Sequence, residues 1–452
     1  MADQAALNVT ANNVANQNTV GYTDEVVTWT SGATVSLGNG SETSTAPTVT
    51  TTSLRDRVLE QRVQQQTQAA SSTSAEAAVM TQLEAVFSIT GSSSTAGSTQ
   101  LGTSLNAFFS SMTALAANPS DAATQQSALS AASTLASAFN AASSGVAGVQ
   151  TSINGTLASS VTAVNALTKT IATLNGQISS LDPNTDAGPL EDQRQAAIAQ
   201  LSQYVGLDQT TTEGDGITLT TTNGSALVSG SQSYSLSSTQ VGGVTQIEDS
   251  TGANVTSGIT GGSIGGQLAA QNTDLPAVTS ALDALAYRVA TAVNTQNEAG
   301  QTSAGAAGAA IFTVPTTASG AAAAMAVIPT SAGALATAAV GGGSTDNTNA
   351  TALANLATAT DGSGQTMSGN LAAMLSEIGS TSSSLTSEST AQQASLTQLT
   401  TQRDTLSAVN LDTEASNLTT YQRAYQAAAQ VLTIVDQLMA AAINLGTQTT
   451  VT

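Results

Sequence analysis

The stretch LTTYQRAYQAAAQVLTIVDQLMAAA, residues 418–442, has the most regular pattern in the chain. Its apolar side chains recur alternately three and four positions apart, the spacing that lines one face of an α-helix. The members of this stripe, which we call the C-terminal seam, are Leu418, Tyr421, Tyr425, Ala428, Leu432, Val435, Met439 and Ala442. A seam sustained over several heptads predicts a coiled coil.

The C-terminal seam lies near the end of the chain, so its partner helix must come from elsewhere. The N-terminal segment or another subunit could supply that helix. The alternative is a helix that packs on its own domain. We interpret Tyr421 and Tyr425 as coiled-coil residues rather than as a ligand-binding pair.

Further apolar stripes at helical spacing predict that most of the chain is helical. The clearest run through Leu101, Leu105, Phe108, Met112 and Leu115, through Val164, Leu167, Ile171, Leu174, Ile178 and Leu181, and through Val278, Leu282, Leu285, Val289 and Ala292. These stripes are narrow, which favours bundles of helices. Asn118-Pro119 is predicted to end one helix, Ser120 or Asp121 to cap the next, and Asn410-Leu411 to interrupt the last.

Residues 206–263 have a different period. Ile217, Leu219 and Thr221 alternate with their neighbours, and Asn223-Gly224 is a strong hairpin signal. We predict that 206–263 is an inserted all-β domain. GGSIGG (261–266) lacks the lysine of a phosphate-binding loop and is interpreted as turns. The Ala- and Gly-rich residues 300–345 are predicted to be a loop-rich surface segment or a flexible one.

The stretch TANNVANQNTVGYT (10–23) holds four asparagines within seven positions: Asn12, Asn13, Asn16 and Asn18. Asparagine favours turns because its amide competes for local backbone hydrogen bonds. The run therefore predicts a connection that turns the chain out of a terminal helix. Gly21 is expected to permit a tight bend, and Tyr22 to anchor the segment after it.

The composition excludes several classes of function. The 452 residues carry a formal net charge of −21 with only 8 basic residues, which argues against nucleic-acid binding. Lys169 is the single lysine, so a polybasic membrane patch is excluded. The chain has no histidine or cysteine, which removes Ser-His-Asp and thiol catalysis and thiolate zinc sites. We see no cleavable signal in residues 1–20 and expect no transmembrane helix.

Two groups of oxygen side chains have the composition of possible sites. Glu213 and Asp215 could form a carboxylate pair, and Asp182, Asn184 and Asp186 have the spacing of calcium-loop ligands. Both groups lie in turn sequences, where acidic residues are normally solvated. We therefore predict no catalytic residue, no metal site and no cofactor.

Several segments resemble a known family. ANNVANQNTVGYT and SAVNLDTEASNLTTYQRAYQAAAQVLTIVDQLMAAAINL resemble the terminal signatures of bacterial flagellar rod, hook and hook-associated proteins. The segments 105–129, 189–207 (with Leu-x-Asp-Gln-Arg at 190–194) and 261–300 are similar to the hook-associated protein 1 family. The chain departs from the family where Asp24 replaces an arginine after Gly-Tyr-Thr. Family members carry more helix ahead of Gln4, so the start is expected to be truncated or misassigned.

The resemblance implies a mainly α fold with an inserted all-β domain, built on a terminal α-helical coiled coil and an elongated helical bundle. Its expected parts are an inner core (1–35 and 405–452), a helical rod domain (36–205 and 264–404) and the β domain (206–263). The resemblance implies a hook–filament junction that is exported without a cleavable signal peptide to the extracellular flagellum.

The implied partners are identical subunits in a ring, hook protein, hook-associated protein 3 and an export chaperone at the C-terminal helix, without nucleic acid or membrane. Two other functions remain open. One is another axial protein, such as a flagellin-like filament subunit. The other is a secreted adhesin or hydrolase on a helical stalk.

Overall fold

A computed structural model describes residues 2–19, 21–30, 34–36, 42–44, 48–89, 99–181, 187–211 and 216–448. The helices are α1 (Ala2–Asn16), α2 (Arg57–Val86), α3 (Gln100–Ala117), α4 (Ala122–Ser179), α5 (Gly188–Leu201), α6 (Gly262–Ala269), α7 (Leu275–Glu298), α8 (Ala321–Ala324), α9 (Thr348–Asn355), α10 (Met367–Ser407) and α11 (Leu411–Gln448). The mainly helical fold class is confirmed.

The strands are short. They are β1 (Glu25–Thr30), β2 (Thr34–Ser36), β3 (Glu42–Ser44), β4 (Thr48–Ser53), β5 (Leu207–Thr211), β6 (Ile217–Thr221), β7 (Ala226–Ser229), β8 (Gln232–Ser233), β9 (Ser237–Val241), β10 (Val244–Glu248), β11 (Gly300–Thr302) and β12 (Ala336–Ala339). The described pairings are antiparallel: β1 with β4, β2 with β3, β9 with β10, β11 with β12, and the sheet β5-β6-β7-β8.

The predicted helix boundaries are largely confirmed. Asn118 is the C-cap of α3, and the Asp121 side chain accepts a hydrogen bond from the Thr124 amide at the start of α4. Asn410 accepts one from the Asp412 amide at the start of α11. The stripe that begins at Val164 belongs to the 58-residue α4, which starts far upstream at Ala122 because no proline interrupts it.

The chain forms two compact units. The first contains residues 1–67, 163–235 and 394–452, and the second contains 68–162 and 236–393. The strands predicted within 206–263 are present, with the turn at Asn223-Gly224 between β6 and β7. They are divided, however, since β5–β8 belong to the first unit and β9–β10 to the second. The functional division into inner core, rod and β domain stays a prediction.

The second unit has an apolar core that includes part of the segment predicted as loop. Phe312 is fully buried, and its ring centroid lies 5.8 Å from that of Phe108 on α3. Ile311, Met325 and Leu335 are also buried. The apolar residues between the alanines and glycines therefore contribute to the core of this unit.

Only the first part of GGSIGG (261–266) forms the predicted turn, and the rest is helical. Gly261 and Gly262 have positive φ angles of 73° and 62° and form a turn into α6, of which Gly262 is the first residue. Gly265 and Gly266, in contrast, lie inside α6. A Cβ atom on Gly266 would lie 2.0 Å from the carbonyl oxygen of Ser72, so only glycine lets α6 approach α2 this closely.

We expect Gly266→Ala to lower the free energy of unfolding by about 1–3 kcal/mol, because the new methyl group overlaps backbone atoms that cannot rotate away. Gly155 in α4 is the matched control, since a methyl group added there would have no neighbour within 4 Å. There the same substitution should stabilise the protein by up to about 1 kcal/mol. Urea unfolding of both variants measures the difference, and equal effects would contradict the close approach.

Candidate assembly interface

The N-terminal helix α1 packs against the C-terminal helix α11 in the first unit. Ala6 and Val9 of α1 form a buried apolar cluster with Val27 of β1, and Tyr421 of the C-terminal seam packs against it. The Trp29 ring also meets Tyr421 edge-on, with ring centroids 5.7 Å apart. The chain's own N-terminal segment thus supplies a partner for the first part of the seam.

Beyond Tyr421 the seam is exposed in the single chain. Leu432 is 67% exposed and Met439 is 60% exposed, whereas Leu418 is half-buried. The other exposed members are Tyr425, Ala428, Val435 and Ala442. An apolar surface of this extent on one helix is typical of an interaction site.

The exposed apolar surface is wider than the predicted seam. It also includes Val431, Ile434, Leu438 and Ile443, which the three-and-four spacing did not pick out. On a helix of 3.6 residues per turn, these residues and the seam together occupy about half of the circumference. We call this surface, from Tyr425 to Ile443, the apolar face of α11.

The apolar face also bears on the expectation that no helix could cross a membrane. The helical region Met367–Ile443 contains a window that is long and apolar enough to do so, by length and composition only. The opposite side of α11 is polar, with Gln430, Thr433, Asp436 and Gln437. A one-sided distribution is typical of a helix that packs on protein rather than one surrounded by lipid.

The asparagine run continues α1 instead of ending it at once. Asn12, Asn13 and Asn16 are helical, and the chain leaves the helix only after Asn16. Asn12 and Asn18 are exposed, while Asn13 is only 1% exposed. Gly21 has a φ angle of 85°, which fits the predicted bend.

Asn13 explains why an asparagine is tolerated inside the helix. Its amide donates hydrogen bonds to Asp24 Oδ1 (2.7 Å) and to the Glu25 carbonyl oxygen (2.9 Å). Its Oδ1 accepts bonds from the Tyr22 hydroxyl (2.9 Å) and the Glu25 amide (3.2 Å). The side chain therefore ties α1 to the start of β1, which overrides its local preference for a turn.

We expect Asn13→Ala to lower the free energy of unfolding by about 2–3 kcal/mol, because it removes the partners of several buried polar groups at once. Asn12→Ala is the matched control, since Asn12 is exposed on the same helix. Chemical denaturation followed by Trp29 fluorescence measures both. Equal stability of the two variants would contradict the anchoring role.

The segment after Tyr22 is held by a largely buried ion pair. Arg55 pairs with Asp192, and the Asp192 carboxylate accepts hydrogen bonds from the Thr23 hydroxyl (2.7 Å) and the Thr23 amide (3.2 Å). Arg55 also donates to Thr23 Oγ1 at 3.0 Å and lies 3.9 Å from Glu191. This cluster joins three segments that are distant in the sequence.

The Leu-x-Asp-Gln-Arg motif on α5 makes two connections, one through Asp192 and one through Arg194. Asp192 holds Thr23, whereas Arg194 donates to Asn175 Oδ1 at 3.0 Å. Asn175 in turn donates to the carbonyl oxygens of Ile217 and Gly230, at 2.8 and 2.9 Å. The motif thus connects the N-terminal segment to α4 and to the β5–β8 sheet. The roles of Thr23 and Arg55 were not predictable from the sequence, because nothing local marks them.

Two acidic side chains, Asp24 of the N-terminal connection and Glu414 of α11, interact electrostatically. Glu25 and Glu414 are each 3% exposed, and Asp24 is half-buried. Burial of its carboxyl group raises the pKa of Asp24 to about 6, and the negative charge of Glu414 is the second cause. Burial also raises the pKa of the Tyr421 hydroxyl, and the negative charge of Glu414 is again the second cause. The charges of Asp24 and Glu414 therefore repel each other between the N-terminal connection and α11.

The two groups of oxygen side chains singled out in the sequence fall in segments that the structure does not describe. Glu213, Asp215, Asp182, Asn184 and Asp186 lie outside the described residues. Within the described ranges, no group of three or more acidic side chains is arranged to hold a metal ion.

A cavity of about 520 Å³ in the second unit contains one carboxylate, Asp283. That carboxylate accepts hydrogen bonds from the Gly320 and Ala322 amides, at 2.7 and 3.0 Å. Asp283 is therefore bound to the backbone amides at the start of α8, which explains its burial.

Comparison with known proteins finds flagellar families along the chain. The model of the flagellar hook-associated protein FlgK helical domain matches residues 80–312, just over half of the chain. The model of the flagellar basal body rod FlgEFG protein C-terminal region matches 403–445, and that of the flagella basal body rod protein matches 1–23.

Two curated relatives are both named flagellar hook-associated protein 1. Flagellar hook-associated protein 1 of Escherichia coli (strain K12) is 29% identical over 329 residues, which cover 69% of this chain and 58% of the relative. The protein of that name from Bacillus subtilis (strain 168) is 27% identical, with 98% of this chain and 96% of the relative covered. The chain thus spans less than two thirds of the Escherichia coli relative and nearly all of the Bacillus subtilis one.

A solved structure has the same fold. The flagellar hook junction protein FlgK from Burkholderia pseudomallei superposes with a TM-score of 0.68 at 19% sequence identity. The match covers 76% of this chain and 99% of that one.

Proposed function

Because the chain belongs to the FlgK family of flagellar hook-associated proteins, we propose that it is a structural axial component that forms the junction between hook and filament. The observation that carries the proposal is the apolar face of α11, which is exposed in the single chain. A helix with such a face is stabilised when other subunits cover it.

The proposed partners are those that this role requires. Identical subunits would form a ring, with hook protein on one side and hook-associated protein 3 on the other. The apolar face occupies about half of the circumference of α11, which is wider than a two-stranded seam, so more than one neighbouring helix is needed to bury it. We assign no catalytic role to the protein.

Export precedes assembly in this proposal. The protein would reach the extracellular flagellum without a cleavable signal peptide. An export chaperone would cover the C-terminal helix until then, because an exposed apolar helix face fits a hydrophobic groove on a partner. Chaperone binding would compete with burial of the same residues between subunits.

Deletion of the gene tests the proposal. The expected cells are non-motile, retain hooks, and release filament protein into the medium. Normal filaments on the deleted strain would contradict the junction role. The filament-subunit alternative makes a different prediction, since the purified chain should then polymerise alone into long filaments.

A further inference from the structure

We propose that the outer edge of β9 is a docking site for a second copy of the chain, whose own β9 pairs with it antiparallel, across a two-fold axis at Thr239. The strand belongs to a hairpin of the second unit. The inference goes beyond the junction role and does not depend on it, because the subunits of a ring meet head to tail rather than across a two-fold axis.

The hairpin of β9 and β10 determines which backbone groups of β9 point outward. Its two-residue turn, 242–243, has positive φ angles of 62° and 85°, as in a type I′ turn. Gln240 and Thr245 are opposite each other, and both backbone groups of Thr245 are bonded on the far side of β10. They therefore form a non-hydrogen-bonded pair, so the backbone groups of Gln240 point away from β10, and by the same alternation so do those of Ser238.

The outer edge of β10 is closed by other parts of the chain. The Gln271 side-chain amide donates to the Thr245 carbonyl oxygen at 3.0 Å and accepts from the Thr245 N–H at 3.1 Å. The Ile247 N–H donates to Thr256 Oγ1 at 2.8 Å, and its carbonyl oxygen accepts from the Val255 N–H at 2.8 Å. The backbone groups that a neighbouring strand would bind are therefore already occupied along β10.

The outer edge of β9 is open. Among the described residues, β9 pairs with β10 alone, and no hydrogen bond from another element reaches the backbone of Ser238 or Gln240. Gln240 is exposed, and Val241 is 52% exposed. The strand also contains neither the lysine nor the proline that commonly blocks an edge, so it can accept a partner strand.

The outward groups of β9 are complementary to those of an identical strand. In an antiparallel pair, Ser238 lies opposite Gln240 of the second copy, and Gln240 lies opposite the second Ser238. The two strands then exchange about four backbone hydrogen bonds. Thr239 faces its own equivalent, and Ser237 faces Val241 of the second copy, which covers part of the exposed valine.

Charge favours the same strand as the occupant. The chain has a net charge of −21, but β9 has no charged side chain, so the pairing places no like charges directly opposite each other. For the same reason β9 has nothing to select a basic or an acidic strand of another protein. Because only one edge of the hairpin is open, the assembly closes at two copies and does not grow into a fibre.

The expected pair is weak. Two strands of five residues bury much less than the roughly 1,200–2,000 Å² of a stable protein interface. The pair should therefore form only at high protein concentration, and a covalent trap is the suitable way to detect it.

The chain contains no cysteine, so Thr239→Cys introduces its only thiol. In the proposed pair the two Cα atoms at position 239 lie about 4.5 Å apart, within the range that a disulfide spans. Oxidation of the purified full chain at about 100 μM should therefore yield a disulfide-linked dimer. Ser237→Cys is the matched control, because Ser237 is exposed on the same face of β9. Its two copies would be about 13 Å apart, so its yield of dimer should be at least about tenfold lower.

Gln240→Pro, added to Thr239→Cys, should abolish the cross-link, because it removes an outward N–H and leaves the bonds to β10 in place. Ser238→Pro removes the other outward N–H and serves if the first variant does not fold, which urea unfolding checks. The proposal is overturned if Thr239→Cys and Ser237→Cys form dimers to the same extent. It is also overturned if a folded proline variant cross-links as well as Thr239→Cys alone, since the contact would then not involve the backbone of β9.

Discussion

Arg55→Ala is expected to lower the free energy of unfolding by about 3–5 kcal/mol, as observed when one member of a buried ion pair is removed. The Asp192 carboxylate would remain buried beside Glu191 without its cation. Thr23 would lose a donor at the same time. The N-terminal segment should therefore detach first, which Trp29 fluorescence detects.

Arg62→Ala is the matched control for Arg55→Ala. Arg62 is exposed on α2, so its removal should change stability by no more than about 0.5 kcal/mol. A second comparison separates charge from packing: Asp192→Asn keeps the volume and should still destabilise the protein. If Arg55→Ala and Arg62→Ala unfold at the same urea concentration, the ion pair does not anchor the segment.

The double substitution Leu432→Asp with Met439→Asp should abolish assembly into the hook–filament junction, while the single chain still folds. Both side chains are exposed in the monomer, so their replacement removes little buried surface. In an assembly, burial of each native side chain, Leu432 and Met439, would contribute about 1.5–3 kcal/mol. An aspartate buried at either position would add a further cost of desolvation. The combined loss corresponds to at least a roughly hundredfold weaker association.

The polar side of α11 provides the control. Gln430→Asp with Gln437→Asp adds the same charge to the same helix, but outside the apolar face. In the deleted strain, this control should restore filaments and the seam variant should not. Circular dichroism and urea unfolding of both purified proteins should match. Restoration of motility by the Leu432 and Met439 variant would show that the apolar face is not an assembly surface.

The helical pattern was predictable because it is local. The spacing from Leu418 to Ala442 identified α11, and Asn410 marked its start. The extent of the exposed face was not predictable, since it depends on where α1 stops covering α11. Ile434 and Leu438 looked like ordinary residues of a helix until the packing of α1 was known.

The anchoring residues required the three-dimensional structure. Arg55 and Asp192 are 137 positions apart, and no periodicity relates them. Asn13 carried a misleading signal, because its preference for turns is outweighed by hydrogen bonds to Asp24 and Glu25. The division of residues 206–263 between two units was equally hidden, since strand patterns specify pairing and not the unit to which a hairpin belongs.

Immunogold electron microscopy of isolated hook–basal bodies tests the junction role most directly. Antibodies raised against the purified chain should label a single narrow band at the distal end of each hook, in wild-type preparations and not in those from the deleted strain. Label along the whole filament, or on the cell surface away from the hooks, would contradict the junction role.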